Sequence, residues 1–131
     1  MRILVVDDEY VSLSKLDIIL KNFGETVAVT NGKQAYEAFI NAYEEGNPFQ
    51  LITLDVNLPD IKGQEVLKMI RKWEDEVLTT VKIIPVKVLM ISALDDAKTV
   101  VSSFKEGCEE YVIKPFNMDK IRNALIMLNL I

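Results

Sequence analysis

The chain alternates five times between a short apolar run of strand length and a segment with the apolar spacing of a helix. Most of these runs are apolar throughout, which is typical of strands covered on both faces. Such a pattern predicts a parallel sheet with helices on both faces, joined by right-handed crossovers. The strands are predicted at Ile3–Val6, Thr26–Val29, Leu51–Leu54, Val86–Ile91 and Tyr111–Ile113.

The first two helices and the fourth have recognisable boundaries. Gly24 and Gly107 are predicted to end the first and fourth helices, because glycine adopts the left-handed conformation that often follows a helix. The second helix is predicted to stop at Gly46–Pro48. Asn31, with Gln34 three residues later, has the spacing of a capping box and is predicted to start that helix.

The other helix boundaries depend on charged residues. Asp95 or Asp96 is predicted to cap the fourth helix. The third helix is predicted to begin near Gln64, with an inward face formed by Val66, Leu67, Ile70 and Trp73. The charged stretch Arg71–Glu76 and the segment up to Pro85 are interpreted as a long connection. The last helix is predicted over about Met118–Leu128, and no linker or internal repeat divides the chain.

Length and composition favour one globular domain spanning residues 1–131. The chain has 131 residues, of which 50% are hydrophobic and 27% charged, enough for a single sizeable core. The formal charge is −5 and there is no basic tract, so direct nucleic-acid binding is not expected. No apolar stretch approaches the roughly 20 residues that a membrane-spanning helix needs, so no membrane insertion is expected.

The histidine and cysteine content narrows the chemistry and the compartment. The chain has no histidine, which excludes histidine-based catalysis and most zinc sites. Cys108 is the only cysteine and cannot form an internal disulfide, which fits a reducing cytoplasm. No secretory signal precedes the first strand. A cytoplasmic location is therefore predicted.

Polar side chains follow the first, third, fourth and fifth strands. They are Asp7 and Asp8, Asp55, Ser92 and Lys114. The carboxyl ends of parallel strands share one edge, so these side chains are predicted to converge there. Two carboxylates about 4 Å apart repel by roughly 4 kcal/mol at an effective dielectric of about 20. A divalent cation with oxygen ligands, most simply Mg²⁺, relieves that repulsion.

The same set of groups suits phosphoryl transfer, which depends on positioning and charge neutralisation. Lys114 can hold a phosphoryl oxygen, and Ser92 can donate its hydroxyl to another. Taken singly, each residue also has a simpler interpretation as a helix cap, a turn residue or a solvated lysine. Their placement together at one edge is what favours a phosphoryl site, with Asp55 as covalent acceptor.

Four segments carry a family resemblance: Ile3–Glu9, Leu54–Gly63, Met90–Leu94 and Gly107–Phe116. In these segments the chain resembles the receiver domains of two-component response regulators, and the resemblance extends over the whole chain. It implies a three-layer flavodoxin-like α/β fold, with a five-stranded parallel sheet in the order 2-1-3-4-5.

The resemblance also assigns roles within the phosphoryl site. Asp55 is implied as the phosphoacceptor, with Ser92 and Lys114 contacting the phosphoryl group. Mg²⁺ is implied to bind the side chains of Asp8 and Asp55 and the backbone carbonyl of Asn57, with Asp7 acting directly or through water. The peptide bond between Lys114 and Pro115 is implied to be cis.

Further roles implied by the resemblance concern switching and lifetime. Ser92 is implied to move towards the phosphoryl group, and Tyr111 to rotate into the vacated space. This motion changes the face formed by helix four, strand five and helix five. For Tyr111 the alternative is an aromatic that packs without moving. Asn57 and Leu94 are implied to flank the path of the hydrolytic water and to tune the dephosphorylation rate.

The implied partners are proteins. A sensor histidine kinase or a histidine phosphotransfer protein donates the phosphoryl group, and a downstream protein target reads the switched face. The chain is not expected to be an enzyme acting on external substrates. It resembles single-domain regulators of the chemotaxis type, and the alternative is a receiver excised from a longer protein. Apolar residues near the end of the chain fit either a homodimer face or a severed junction: Ile126, Met127, Leu130 and Ile131.

Three other classes compete with this interpretation. A metal-dependent phosphatase with an aspartyl nucleophile needs a second acid two residues later, where this chain has Asn57. A flavin carrier needs a phosphate-cradling loop after the first strand, where this chain has Asp7, Asp8 and Glu9. An interaction module that has lost its chemistry is not supported, since all the polar groups are present.

Overall fold

The computed structural model describes residues 1–131 and confirms the strict alternation of strands and helices. Asp96 rather than Asp95 caps the fourth helix, accepting from the Thr99 N–H at 3.0 Å. None of the helices is long and apolar enough to cross a membrane. The elements are β1 (Arg2–Val6), α1 (Tyr10–Leu20), β2 (Glu25–Val29), α2 (Gly32–Glu44), β3 (Leu51–Leu54), α3 (Gly63–Leu78), β4 (Lys87–Ser92), α4 (Ala97–Glu106), β5 (Glu110–Ile113) and α5 (Met118–Met127).

The five strands form one sheet in the order β2-β1-β3-β4-β5, with every neighbouring pair parallel. Successive residues of β1 serve opposite faces, as strand geometry requires. Leu4 and Val6 pack in a core with α2 and α3, whereas Ile3 and Val5 pack in a second core with α1 and α5. The predicted three-layer α/β fold and strand order are therefore confirmed.

Three strands begin one residue earlier than predicted, at Arg2, Glu25 and Glu110. The fourth strand begins one residue later, so the prediction that it includes Val86 is wrong. The Val86 N–H is used elsewhere, donating to the Glu74 carboxylate at 2.7 Å. Strand ends are therefore set by long-range partners as well as by local apolarity.

The predicted boundaries of α2 and α4 are confirmed, with one difference of detail. The Asn31 side chain accepts from the Gln34 N–H at 2.8 Å. The Gln34 side chain accepts in return from the Thr30 N–H, not from that of Asn31, so the capping box is offset by one residue. The helix α2 ends before Gly46, and Gly107 follows α4 in the left-handed conformation at φ 114°.

The prediction that Gly24 caps α1 is wrong. The helix ends at Leu20, and Gly24 does not adopt a positive φ. A side chain at Gly24 would overlap the carbonyl oxygen of Met1, which accepts the Glu25 N–H at 2.9 Å. Glycine is required at this position because the start of β1 approaches the backbone closely.

The interpretation of Arg71–Glu76 as a connection is also wrong, because these residues lie within α3. Trp73 packs against α2, with its ring centroid 5.3 Å from that of Phe39 and 4.8 Å from that of Tyr43. This aromatic cluster gives the second half of α3 an apolar face. Trp73 was predicted to face inward, and its packing against the core confirms this.

Candidate functional site

The pairing of β1 with β3 brings two acids together at the carboxyl edge of the sheet. Val6 and Leu54 are partners in the ladder, and Asp7 and Asp55 are the next residues of each strand. The ladder continues weakly past them, because the Asp55 N–H donates to the Val6 carbonyl at 3.3 Å. The backbone therefore places the two carboxylates side by side.

Lys114 reaches both carboxylates from the neighbouring part of the edge. Its backbone N–H donates to the Ser92 carbonyl at 2.9 Å, which continues the pairing of β4 with β5. Its Nζ donates to Asp7 Oδ2 at 2.9 Å and to Asp55 Oδ2 at 2.8 Å. The peptide bond between Lys114 and Pro115 is cis.

This cluster is short of positive charge. Asp7 is 1% exposed and Asp55 6%, so both acids are buried against a single lysine. Burial raises the pKa of Asp7 despite its hydrogen bonds with Lys114 and the Glu9 N–H. Burial opposes the charge on Lys114, but its bonds to Asp55 and Asp7 outweigh that effect and raise the pKa of Lys114. The two carboxylates exceed the single ammonium in charge, and this excess is what suits a further cation.

The remaining carboxylate oxygens are oriented by the backbone. Asp7 Oδ1 accepts from the Glu9 N–H at 2.9 Å, and Asp55 Oδ1 accepts from the Asn57 N–H at 3.1 Å. Each carboxylate oxygen can accept more than one bond, so both acids retain capacity for a metal ion. The acids are thus held in place without being saturated.

The three acids do not converge as predicted. No three carboxylates lie close enough together to form a metal cluster by themselves. Asp8 is exposed, because consecutive side chains leaving a strand point in opposite directions. Its carboxylate makes no hydrogen bond or ion pair, and the Asn57 carbonyl accepts no hydrogen bond. The oxygen donors that suit Mg²⁺ are the buried carboxylates of Asp7 and Asp55, the backbone carbonyl of Asn57 and the exposed carboxylate of Asp8.

Ser92, Leu94 and Tyr111 are linked through the loop between β4 and α4. Ser92 is fully buried at the end of β4, and its Oγ accepts from the Leu94 N–H at 3.3 Å. The Tyr111 hydroxyl donates to the Leu94 carbonyl at 2.6 Å. Ser92 makes no hydrogen bond to Asp55, Asp7 or Lys114. A movement of this loop changes the surroundings of both Ser92 and Tyr111.

The loop after β3 contains two contacts that the sequence reasoning missed. Lys62 Nζ donates to the Asn57 side-chain oxygen at 3.2 Å. Asp60 accepts from the N–H groups of Gly32 and Lys33, both at 2.8 Å, and so caps α2 from another element. Asp60 and Lys62 were visible in the sequence, but the choice of their partners depends on how the loop folds.

Comparison with known proteins decides the family. A family model described as the response regulator receiver domain matches residues 3–126. The chain belongs to this family. Chemotaxis protein CheY of Bacillus subtilis is 31% identical over 126 residues, which are 95% of this chain and 93% of CheY. The receiver chain also covers 20% of the two-component response regulator ARR10 of Arabidopsis thaliana, with 32% identity over 123 residues.

Solved structures of receiver domains have the same fold. The BeF3-activated receiver domain of DrrB superposes with a TM-score of 0.75 and 29% identity, covering 98% of this chain and 97% of the chain of that receiver domain. A CheX–CheY–BeF3–Mg²⁺ complex from Borrelia burgdorferi gives a TM-score of 0.82 over 98% of this chain and 89% of the other, at 23% identity. At that identity the second likeness concerns the fold alone. The receiver domain predicted from the sequence motifs is confirmed.

Proposed function

We propose that this receiver domain, spanning residues 1–131, accepts a phosphoryl group on Asp55 from a phosphohistidine in a Mg²⁺-dependent reaction. The observation that carries the proposal is the contact of Lys114 with Asp55 and Asp7 at the carboxyl edge of the sheet. Two buried acids with one base form a pocket that favours a divalent cation and an incoming anion together.

The chemistry is a displacement at phosphorus. A carboxylate oxygen of Asp55 attacks, the P–N bond of the phosphohistidine breaks, and the histidine nitrogen leaves with the electron pair. The product is an acyl phosphate on Asp55. In the unphosphorylated protein the Lys114 ammonium bridges Asp7 and Asp55, and in the product it holds a phosphoryl oxygen. The Ser92 hydroxyl donates to another phosphoryl oxygen. Positioning of these groups supplies most of the rate.

Mg²⁺ would be held by the side chains of Asp8 and Asp55 and the carbonyl of Asn57, with Asp7 acting directly or through water. When bound, it neutralises the negative charge that accumulates on the phosphoryl oxygens. Asp8 would have to turn towards the buried pair, and its exposed carboxylate has no other partner to hold it away. The chain acts only on its own phosphorylation and dephosphorylation, and turnover of external substrates is not part of the proposal.

The signal is proposed to leave through the face formed by α4, β5 and α5. The Ser92 hydroxyl moves towards the phosphoryl group, the loop carrying Leu94 follows, and Tyr111, bonded to that loop, changes position. This is a two-state element biased by a local change of charge. Exposed apolar side chains on this face give a protein partner something to bind: Val101, Phe104, Ile113 and Met127.

The proposed partners follow from this chemistry. A sensor histidine kinase or a histidine phosphotransfer protein donates the phosphoryl group, and a downstream protein reads the switched face, which also suits a homodimer. The free, buried thiol of Cys108 is compatible with the cytoplasm, where we place the reaction. No basic surface tract supports direct binding to nucleic acid.

The proposal is tested by the intact mass of the protein after incubation with acetyl phosphate. We expect the mass of one phosphoryl group to appear with Mg²⁺ present and to be absent with excess EDTA. Asp55→Asn should not take up the group under either condition. Uptake by Asp55→Asn at the rate of the wild type would contradict the proposal.

A further inference from the structure

Two lysines from different helices hold the loop that follows Lys114. Lys15, on α1, donates from Nζ to the Phe116 carbonyl at 2.6 Å. Lys120, on α5, donates from Nζ to the Pro115 carbonyl at 3.0 Å. Two successive carbonyls of the loop are therefore each bound by an ammonium group. Only Pro115 separates Lys114 from the residue that Lys15 holds.

The contact of Lys15 is more extensive than one hydrogen bond. Its Nζ also lies 4.9 Å from the centroid of the Phe116 ring, within the range of a cation–π interaction. Phe116 is buried, at 4% exposure, in the core between the sheet, α1 and α5. One ammonium thus binds both the carbonyl and the ring of a residue anchored in the core.

The position of Lys15 in the fold gives this contact a consequence for the site. The helix that carries it begins at Tyr10, directly after the segment that holds Asp7 and Asp8. The loop that it binds begins with Lys114. The contact spans 101 positions in the sequence. It connects α1, which follows Asp7 and Asp8, with the loop that begins at Lys114.

We propose that Lys15 is a positioning residue that fixes the loop between β5 and α5 so that Lys114 meets the phosphoryl group on Asp55. This inference rests on the proposed function. Lys15 itself contacts neither acid. It acts through the backbone of Phe116, and its loss removes the hydrogen bond that connects this loop to α1.

Lys120 provides a matched control. Removing either lysine changes the net charge equally and frees one carbonyl of the same loop. Lys120, however, lies five residues from Pro115 in the chain, so its contact is local and cannot fix the loop relative to α1. An effect of charge alone would therefore be similar for both lysines, whereas a positioning effect belongs to Lys15.

The test compares Lys15→Met, Lys15→Arg and Lys120→Met with the wild type. Methionine keeps an apolar stem without the donor, and arginine keeps a donor. We expect phosphorylation by acetyl phosphate at saturating Mg²⁺ to slow roughly 10-fold in Lys15→Met, since small misplacements of catalytic groups have effects of this order. Lys15→Arg should recover most of the rate, because it keeps a donor for the Phe116 carbonyl. Lys120→Met should stay within about twofold of the wild type, because its local contact does not set the position of Lys114.

A second measurement separates positioning from general damage to the fold. Titration with Mg²⁺ alone measures the affinity of the acids that follow β1 and β3 for the ion. This affinity should be unchanged in Lys15→Met. Equal phosphorylation rates in Lys15→Met and the wild type would overturn the inference, as would equal losses in Lys15→Met and Lys120→Met. Failure of the wild type to accept phosphate would instead contradict the proposed function, so the two failures are distinguishable.

Discussion

At the residue scale, the site depends on an imbalance between two acids and one base. Asp55 and Asp7 share the ammonium of Lys114, and each has its other oxygen oriented by a backbone N–H. A site with equal numbers of acids and bases would be neutral and would not favour a divalent cation. The deficit of positive charge in this cluster is the physical basis for the predicted dependence on Mg²⁺.

The lifetime of the acyl phosphate is predicted to depend on Leu94. Its apolar side chain cannot orient a water molecule, whereas a carboxylate at the same position can accept a hydrogen bond from one. We expect autodephosphorylation to be roughly 10-fold faster in Leu94→Glu, a modest general-base effect. The measurement is the decay of phosphorylated protein after removal of the phosphodonor. Leu94→Met is the control, and equal half-lives in Leu94→Glu and the wild type would refute the role.

The cap that Asp60 provides for α2 is predicted to make stability depend on pH. Hydrogen bonds from the N–H groups of Gly32 and Lys33 lower the pKa of Asp60 below its ordinary value of 3.8. The charged carboxylate therefore stabilises the fold above that pH, and the contribution is lost as pH falls through the lower pKa of the folded state.

Urea unfolding of Asp60→Asn and the wild type measures this contribution. Asparagine keeps one acceptor oxygen but has no charge for the N-terminus of α2. We expect Asp60→Asn to be less stable at pH 7, with the difference shrinking as the pH falls below 3.8. Asp119→Asn, in the first turn of α5, is a control because that carboxylate accepts no backbone hydrogen bond. The prediction would be contradicted if the difference in the free energy of unfolding between Asp60→Asn and the wild type stayed constant with pH.

At the element scale, the second half of α3 is held by a buried ionic network. Arg71 donates to Glu74 at 2.6 Å and to the carbonyls of Gly107 and Val86 at 2.8–3.0 Å. Glu74, whose side chain is 2% exposed, also accepts the Val86 N–H. The network joins α3 to the start of β4 and to the turn after α4, at the end of the sheet opposite the acids.

Removal of Arg71 is predicted to destabilise this element strongly. Arg71→Met leaves Glu74 buried without its counter-charge. We expect the free energy of unfolding to fall by about 3 kcal/mol, which is the lower end of the range for breaking a buried ion pair, because Arg71 is partly exposed. Glu74→Gln should cost less, since the amide oxygen still accepts the Val86 N–H. Urea unfolding measures both. A smaller loss in Arg71→Met than in Glu74→Gln would contradict this account.

The same network explains why α3 was predicted too short. In the sequence, Arg71–Glu76 has the charge pattern of an exposed connection, and nothing local indicates that Glu74 is buried. One of its partners, the Val86 N–H, lies just before β4 in the chain, so the signal exists only after the chain has folded. The capping of α4 by Asp96 and Gly107, in contrast, depends on neighbouring residues and was predicted.

At the scale of the whole molecule, the pattern of strands and helices predicted the convergence of Asp7, Asp55 and Lys114, whereas the strand order was implied by the family resemblance. Apolar runs locate the strands, and parallel strands share one carboxyl edge, so topology alone brings together the residues at the carboxyl end of each strand. The exposure of Asp8 was not predicted, although the alternation of side chains along an extended segment indicates that Asp8 points away from Asp7. The contact of Lys15 with the loop after β5 was also hidden by its long range.

Asp55, and no other acid, is predicted to become an acyl phosphate. Borohydride reduces an aspartyl phosphate to homoserine, which peptide mapping by mass spectrometry locates in the sequence. After incubation with acetyl phosphate and Mg²⁺, we predict homoserine at position 55 alone, and none when EDTA replaces Mg²⁺. Homoserine at Asp7 or Asp8, or no homoserine at any position, would contradict the account.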